Sequence, residues 1–141
     1  MDIKSIMTPD PRCCTRAAPL REVARMMRDE DVGQIPVLEE AGSRTLAGVV
    51  TDRDIIVRVV ATGTDPVSVT AGDCMSAPAV TLGEDASLAD CARVMAAEQI
   101  RRVPIVDADG ALCGIVSQAD VQATDARSLK EEIADRVSVP H

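Results

Sequence analysis

Thr51-x-x-Asp54 and Ser117-x-x-Asp120 each set a hydroxyl and a carboxylate three residues apart where an apolar run passes into helical spacing. At such a junction the first backbone N–H groups of the helix lack partners, so the hydroxyl belongs at the N-cap and the aspartate in the first turn. The pattern has two readings. It is a capping box, in which the two side chains do nothing but satisfy backbone. Found twice in the same context, it also reads as the rim of a small-molecule site, with polar groups gathered around unpaired N–H donors.

The elements that must hold these residues occur twice. Gly48-Val49-Val50 and Gly114-Ile115-Val116 precede the two motifs, and their β-branched residues suit a buried strand. Sliding the sequence by 68 positions superimposes Met7 on Met75, Leu20 on Leu88, Met27 on Met95 and Pro36 on Pro104. Past the prolines the offset drops to 66, matching Gly48 to Gly114 and Asp54 to Asp120. The two missing residues fall between Glu39–Arg44 and the shorter Asp107–Gly110, as a hairpin turn permits.

Each copy opens irregularly, at Ile6-Met7-Thr8-Pro9 or Cys74-Met75-Ser76-Ala77-Pro78. An amphipathic helix follows, with stripes Leu20, Val23, Ala24, Met27 and Leu88, Cys91, Ala92, Met95. Pro19 suits the first turn of one helix, and Ser87 with Asp90 caps the other. A short strand (Ile35–Leu38; Val103–Val106), a hairpin, a second strand and a second helix complete a β-α-β-β-α unit whose opening strand is the least defined part. Leu129, Ile133 and Val137 space one apolar stripe along a C-terminal helix.

Composition narrows the function. The 141 residues include no Phe, Tyr or Trp, so a core must be built from Val, Ile, Leu, Met and Ala, and no ring can stack on a ligand. A net charge of −8 argues against a nucleic-acid or anionic-membrane surface, and any anionic ligand needs a local basic cluster. The apolar runs are too short to span a bilayer and no apolar leader follows Met1, which places the protein in the cytoplasm as an expectation. Five cysteines without a Cys-x-x-Cys, and a single histidine at His141, give a metal centre little support. Cys14, Cys74, Cys91 and Cys113 stand opposite apolar residues of the other copy and read as core; Cys13-Cys14, beside Arg12 and Arg16, form the one candidate redox pair. No base, nucleophile and orienting group stand together as an enzyme requires.

Two tandem copies of helix, x-x-Pro strand, turn, Gly-h-h-[Ser/Thr]-x-x-Asp and helix resemble a pair of CBS domains, a Bateman module, over residues 1 to about 127. Leu46-x-Gly48-Val-Val-Thr-Asp-Arg-Asp-Ile-Ile56 with Gly63-Thr-Asp-Pro66 is further similar to small stand-alone bacterial CBS pairs of the hypoxic-response type. The resemblance implies an α+β fold in which two repeats pack about a pseudo-twofold axis, here 1–62 and 74–127, joined by a linker at 63–73 and followed by a helical tail at 128–141. It implies a regulatory sensor without catalysis, holding AMP, ADP, ATP or another adenosyl compound between the repeats, and no required cofactor.

Carried over by position, Asp54 and Asp120 would accept from ribose hydroxyls, a role that suits a carboxylate's two acceptor oxygens. Thr51 and Ser117 would approach sugar or phosphate, and backbone near Ile35-Pro36 and Val103-Pro104 would meet the base. The copies differ, since Arg101-Arg102 replace Gly33-Gln34 and Ala119 replaces Arg53. Arginine forks suit phosphate, which makes the two clefts unequal and favours the Asp120 side. A homodimer follows from the family and from apolar residues on 20–30 and 88–98 in excess of what one sheet need cover. The rival reading is a ligand-free dimeric scaffold serving an unknown protein partner, with a thiol-linked stress role at Cys13 and Cys14.

Overall fold

Two antiparallel hairpins set the frame. Gln34–Leu38 (β3) pairs with Leu46–Thr51 (β4), and Arg102–Val106 (β6) pairs with Leu112–Ser117 (β7). Equivalent residues stand in equivalent register, Gln34 opposite Thr51 and Arg102 opposite Ser117. The structure, a computed structural model, describes residues 2–124. The helix expected from 128 onward lies outside the described residues.

The opening strand of each unit is two residues long: Cys14–Thr15 (β2) runs parallel to β3, and Leu82–Gly83 (β5) parallel to β6. Helices Leu20–Glu30 (α1) and Leu88–Glu98 (α4) connect them. Their buried faces are narrower than the sequence stripes. Leu20, Val23 and Met26 are buried on α1, and Cys91 and Met95 on α4, whereas Ala24 and Ala92 are exposed. A methyl group contributes little to a core built from larger side chains, so Met26 takes the inward position instead of Ala24. Ser87 forms a capping box with Asp90 as the sequence leads one to expect, whereas Pro19 stands at the N-cap, just before its helix and not in the first turn.

After β4 the chain turns into α2 (Asp52–Ile55), which widens to a π-helical turn over Ile56–Val60 where Ala61 N–H reaches the Ile56 carbonyl at 2.8 Å. The second copy has its helix, α5, at 118–124. A short helix, α3 (Ala71–Cys74), lies between the repeats.

Sequence periodicity does not reveal where the irregular openings go. Thr8–Pro9 (β1) pairs antiparallel with Ile115 and Gly114 of the second repeat, making a sheet ordered β1-β7-β6-β5. Ser76 in turn pairs with Val49 of the first repeat, through N–H···O bonds of 2.8 and 3.0 Å. Each repeat thus lends its opening arm to the other. The cores record the exchange: Ala71, Cys74 and Met75 are buried with Val23, Val37 and Val50, while Ile3, Ile6 and Met7 pack with Cys91, Val103 and Val116. The repeats also touch at their hairpin turns, where Thr45 bridges Ala111 and Leu112 N–H donates to the Arg44 carbonyl at 2.8 Å.

Candidate functional site

Both hydroxyl-carboxylate motifs are complete capping boxes at strand ends. Asp54 N–H donates to Thr51 Oγ1 at 3.0 Å and Thr51 N–H to Asp54 Oδ2 at 2.9 Å. Asp120 N–H donates to Ser117 Oγ at 3.1 Å and Ser117 N–H to Asp120 Oδ2 at 3.0 Å. The residues before β3 and β6 are fastened to the same corners, since Asp52 N–H donates to the Gly33 carbonyl at 2.9 Å and Gln118 N–H to that of Arg101 at 2.7 Å. Every polar position is therefore fixed by backbone at a strand-to-helix corner.

The two corners face one cleft of about 1090 Å³. Thr51, Arg53, Asp54, Arg101, Arg102 and Ser117 line it. Asp120 is not among the lining residues; half-buried, it stands behind them, bonded to Ser117, which is. Ile35, Pro36, Val103 and Pro104 are almost wholly buried and do not line the cleft; the strand residues that do are Gln34 and Arg102, one position earlier. Pro36 and Pro104 have no N–H to present to a cleft, and both are buried in the core.

Of the lining residues that the sequence reading did not assign to a site, three bear on its chemistry. Arg58 brings its Nε to 3.7 Å from Asp54 and donates to the Met75 carbonyl at 3.1 Å. Ser76, from the exchanged arm, donates to Asp54 Oδ1 at 2.8 Å. Gln34 buries its Oε1 without a hydrogen-bond donor among the described residues. The i,i+4 spacing of Asp54 and Arg58 was visible in sequence, but Ser76 arrives only through the arm exchange.

The arginines are distributed unevenly. Arg12, Arg16, Arg28, Arg44, Arg58 and Arg93 each pair with a carboxylate. Among the described residues the arginines left without an ion pair are Arg21 and Arg25, exposed on α1, and Arg53, Arg101 and Arg102, all three on this cleft. The same lining carries Asp31, Asp52, Asp54 and Glu98, so the cleft is mixed in charge, with Arg53, Arg101 and Arg102 as its cations outside any ion pair among the described residues.

The thiols answer differently. Cys14 belongs to a strand and to the first core, and burial, followed by the neighbouring Cys13, pushes its pKa up to about 12. It cannot be the low-pKa member of a redox pair. Cys74 is likewise raised, first by burial and then by the charge of Asp54. Cys13 is half-exposed and accepts from Arg44 Nη1 at 3.6 Å. Among the described residues no group of three or more His, Cys, Asp or Glu could hold a metal ion, and no helix is long and apolar enough to cross a membrane.

Comparison with known proteins gives this architecture a family. The sequence profile of the CBS domain matches residues 3–61 and again residues 71–124. The chain belongs to the CBS-domain family. As a CBS pair it is similar to the uncharacterized protein YlbB of Bacillus subtilis, 39% identical over 134 residues covering 95% of this chain and 84% of that one. It is also similar to Hypoxic response protein 1 of Mycobacterium tuberculosis, 34% identical over 128 residues covering 91% and 85%. The crystal structure of Hypoxic Response Protein I with two coordinated zinc ions superimposes with a TM-score of 0.78 at 32% identity, covering 87% of this chain and 98% of that one. CBSX2 of Arabidopsis thaliana, crystallised in complex with AMP, shares the fold at a TM-score of 0.78 and 23% identity, covering 92% and 98%. CBS pairs are regulatory modules, and the profile matches the chain as two repeats.

Proposed function

We propose that this CBS pair is a non-enzymatic sensor that binds an adenine nucleotide, AMP or a close relative, in the cleft between its repeats. The observation that carries this reading is the gathering of Arg53, Arg101 and Arg102, none with an ion-pair partner among the described residues, in one cleft of an otherwise acidic protein. A guanidinium is matched in geometry and charge to phosphate. Two further groups suit the rest of a nucleotide. Asp120 has one oxygen committed to its cap, and Oδ1 has no partner among the described residues, as a ribose acceptor requires. The buried Gln34 Oε1 lacks a donor that an exocyclic amine of the base would supply. That CBSX2, of the same fold, was crystallised with AMP agrees with this choice of ligand.

Calorimetry with AMP and adenosine tests the assignment. Asp120→Ala should weaken both ligands by about 1–3 kcal/mol, the range for charge-assisted hydrogen bonds. Arg102→Ala should weaken AMP about tenfold, roughly 1.4 kcal/mol, and leave adenosine nearly unchanged; equal losses for both ligands would contradict a phosphate role. Because the chain has no Trp or Tyr, a purine retained through purification should stand out as an absorbance band near 260 nm over an almost empty 280 nm region.

Self-association is the second part of the proposal, and one observation relocates it. The helices 20–30 and 88–98 bury their large apolar residues, but Ile56, Val57 and Val60, on the helical turn after the first motif, are 59%, 49% and 63% exposed. We place the homodimer contact there. The protein works in the cytoplasm in this reading, reporting nucleotide occupancy through its dimer or through a partner protein; the scaffold alternative keeps the dimer and drops the ligand.

A further inference from the structure

We infer that the chain holds one nucleotide, on its Asp120 side, because its own Ser76 hydroxyl occupies the Asp54 oxygen that a sugar hydroxyl would need. The inference rests on the nucleotide reading above and adds stoichiometry and the residue that sets it.

The two aspartates are equivalent by sequence and by cap, yet their second oxygens differ. Asp54 Oδ2 is taken by Thr51 N–H, Oδ1 accepts from the Ser76 hydroxyl at 2.8 Å, and Arg58 Nε stands 3.7 Å away. The residue is only 8% exposed, so a diol can reach it only by displacing Ser76. Ser76 is not loosely held. Its backbone is paired in both directions with Val49, and the carbonyl of Met75 beside it accepts from Arg58 Nη1 at 3.1 Å. These backbone bonds keep Ser76 beside Asp54, and turning its hydroxyl away gives up the 2.8 Å bond to Oδ1, so a sugar hydroxyl there gains only what the serine loses.

On the other side the counterpart of Ser76 is Thr8, in the arm paired with Ile115. Thr8 is exposed, and its hydroxyl makes no hydrogen bond among the described residues. The counterpart of Arg58 is Thr124, whose hydroxyl donates to the main-chain carbonyl of Asp120 at 3.0 Å and leaves the carboxylate alone. Two substitutions between the repeats, Ser76 for Thr8 and Arg58 for Thr124, thus close one acceptor and leave the other open. Ser76 is the specificity-determining residue of the pair.

Titration calorimetry of the full chain with AMP decides the point, with thermal melts confirming that each variant is folded. The expected result is one AMP per chain, at least a tenfold loss of affinity in Asp120→Asn, less than a twofold change in Asp54→Asn, and a second, weaker AMP in Ser76→Ala. Saturation of the parent at two AMP per chain, a loss confined to Asp54→Asn, or a Ser76→Ala variant still limited to one AMP would each overturn this inference while leaving nucleotide binding intact. A parent chain that binds no AMP would overturn both.

Discussion

Gly48 and Gly114 occupy one position of the repeated motif but are held there by different neighbours. A Cβ at Gly48 would lie 2.5 Å from the Ser76 carbonyl oxygen, which is itself bonded to Val49 N–H at 3.0 Å. At Gly114 it would meet only the side chain of Met7, through Sδ, Cγ and Cε. Backbone locked in a ladder cannot retreat, whereas a methionine has three rotatable bonds with which to do so. Gly48→Ala should therefore cost about 1–3 kcal/mol, the usual range for overpacking, and Gly114→Ala clearly less; urea unfolding of both variants compares them. Cys14 supports a pH prediction. Its thiol is raised from an ordinary value of 9.0 to about 12 in the folded chain, so the folded state keeps a proton that the unfolded state loses. The stabilisation is complete below pH 9 and is lost as pH rises toward 12, and Cys14→Ala should flatten that alkaline decline in denaturation curves. At this scale the sequence was legible as far as residue types allow: the caps at Thr51 and Ser117 were expected and form. Which aspartate oxygen stays open was not legible, because it depends on Ser76, a residue 22 positions away that no local pattern connects to Asp54.

Elements with a period were the ones sequence could read. The helices α1 and α4, the hairpins with their unequal turns, and the match of β3 to β6 follow from spacing and turn chemistry. The stripes hold except at Ala24, whose place Met26 takes on α1, and at Ala92, which is exposed on α4, since alanine counts as apolar in a pattern but adds little to a packed face. Two-residue strands such as β1, β2 and β5 have no period to detect. Their pairing is fixed instead by the cores they complete. The cap of α4 can be weighed on its own: Ser87 Oγ accepts from Asp90 N–H at 3.1 Å, and Asp90 returns a bond to Ser87 N–H at 3.1 Å. Ser87→Ala should lower stability by about 1 kcal/mol, the common cost of losing an N-cap, with no effect on nucleotide binding because Ser87 does not line the cleft.

At the scale of the whole chain the duplication is legible in the sequence, whereas packing about a pseudo-twofold axis is what the resemblance to CBS pairs implies. The surface is not legible there. Helical spacing identifies apolar residues on 20–30 and 88–98 but cannot say that those are consumed by the sheets, leaving Ile56, Val57 and Val60 exposed. Equivalent positions in the second repeat are Gln122, Ala123 and Ala126, so the apolar face belongs to one repeat only. If the homodimer forms there, Ile56→Glu with Val60→Glu should shift the light-scattering mass from two chains to one at micromolar concentration while the thermal melt stays cooperative; an unchanged dimer would place the contact elsewhere.

The exchanged arms change what the connection between the repeats is for. The turn at Thr62-Gly63-Thr64-Asp65 is exposed along its whole length, as a protease site must be. Were the chain cut there, the first fragment would still carry the strand β1 that edges the second repeat's sheet, and the second would still carry Ala71, Cys74 and Met75 of the first repeat's core. Each piece would grip the other like clasped hands. A nicked molecule should accordingly elute from a sizing column as an intact one and come apart only in denaturant.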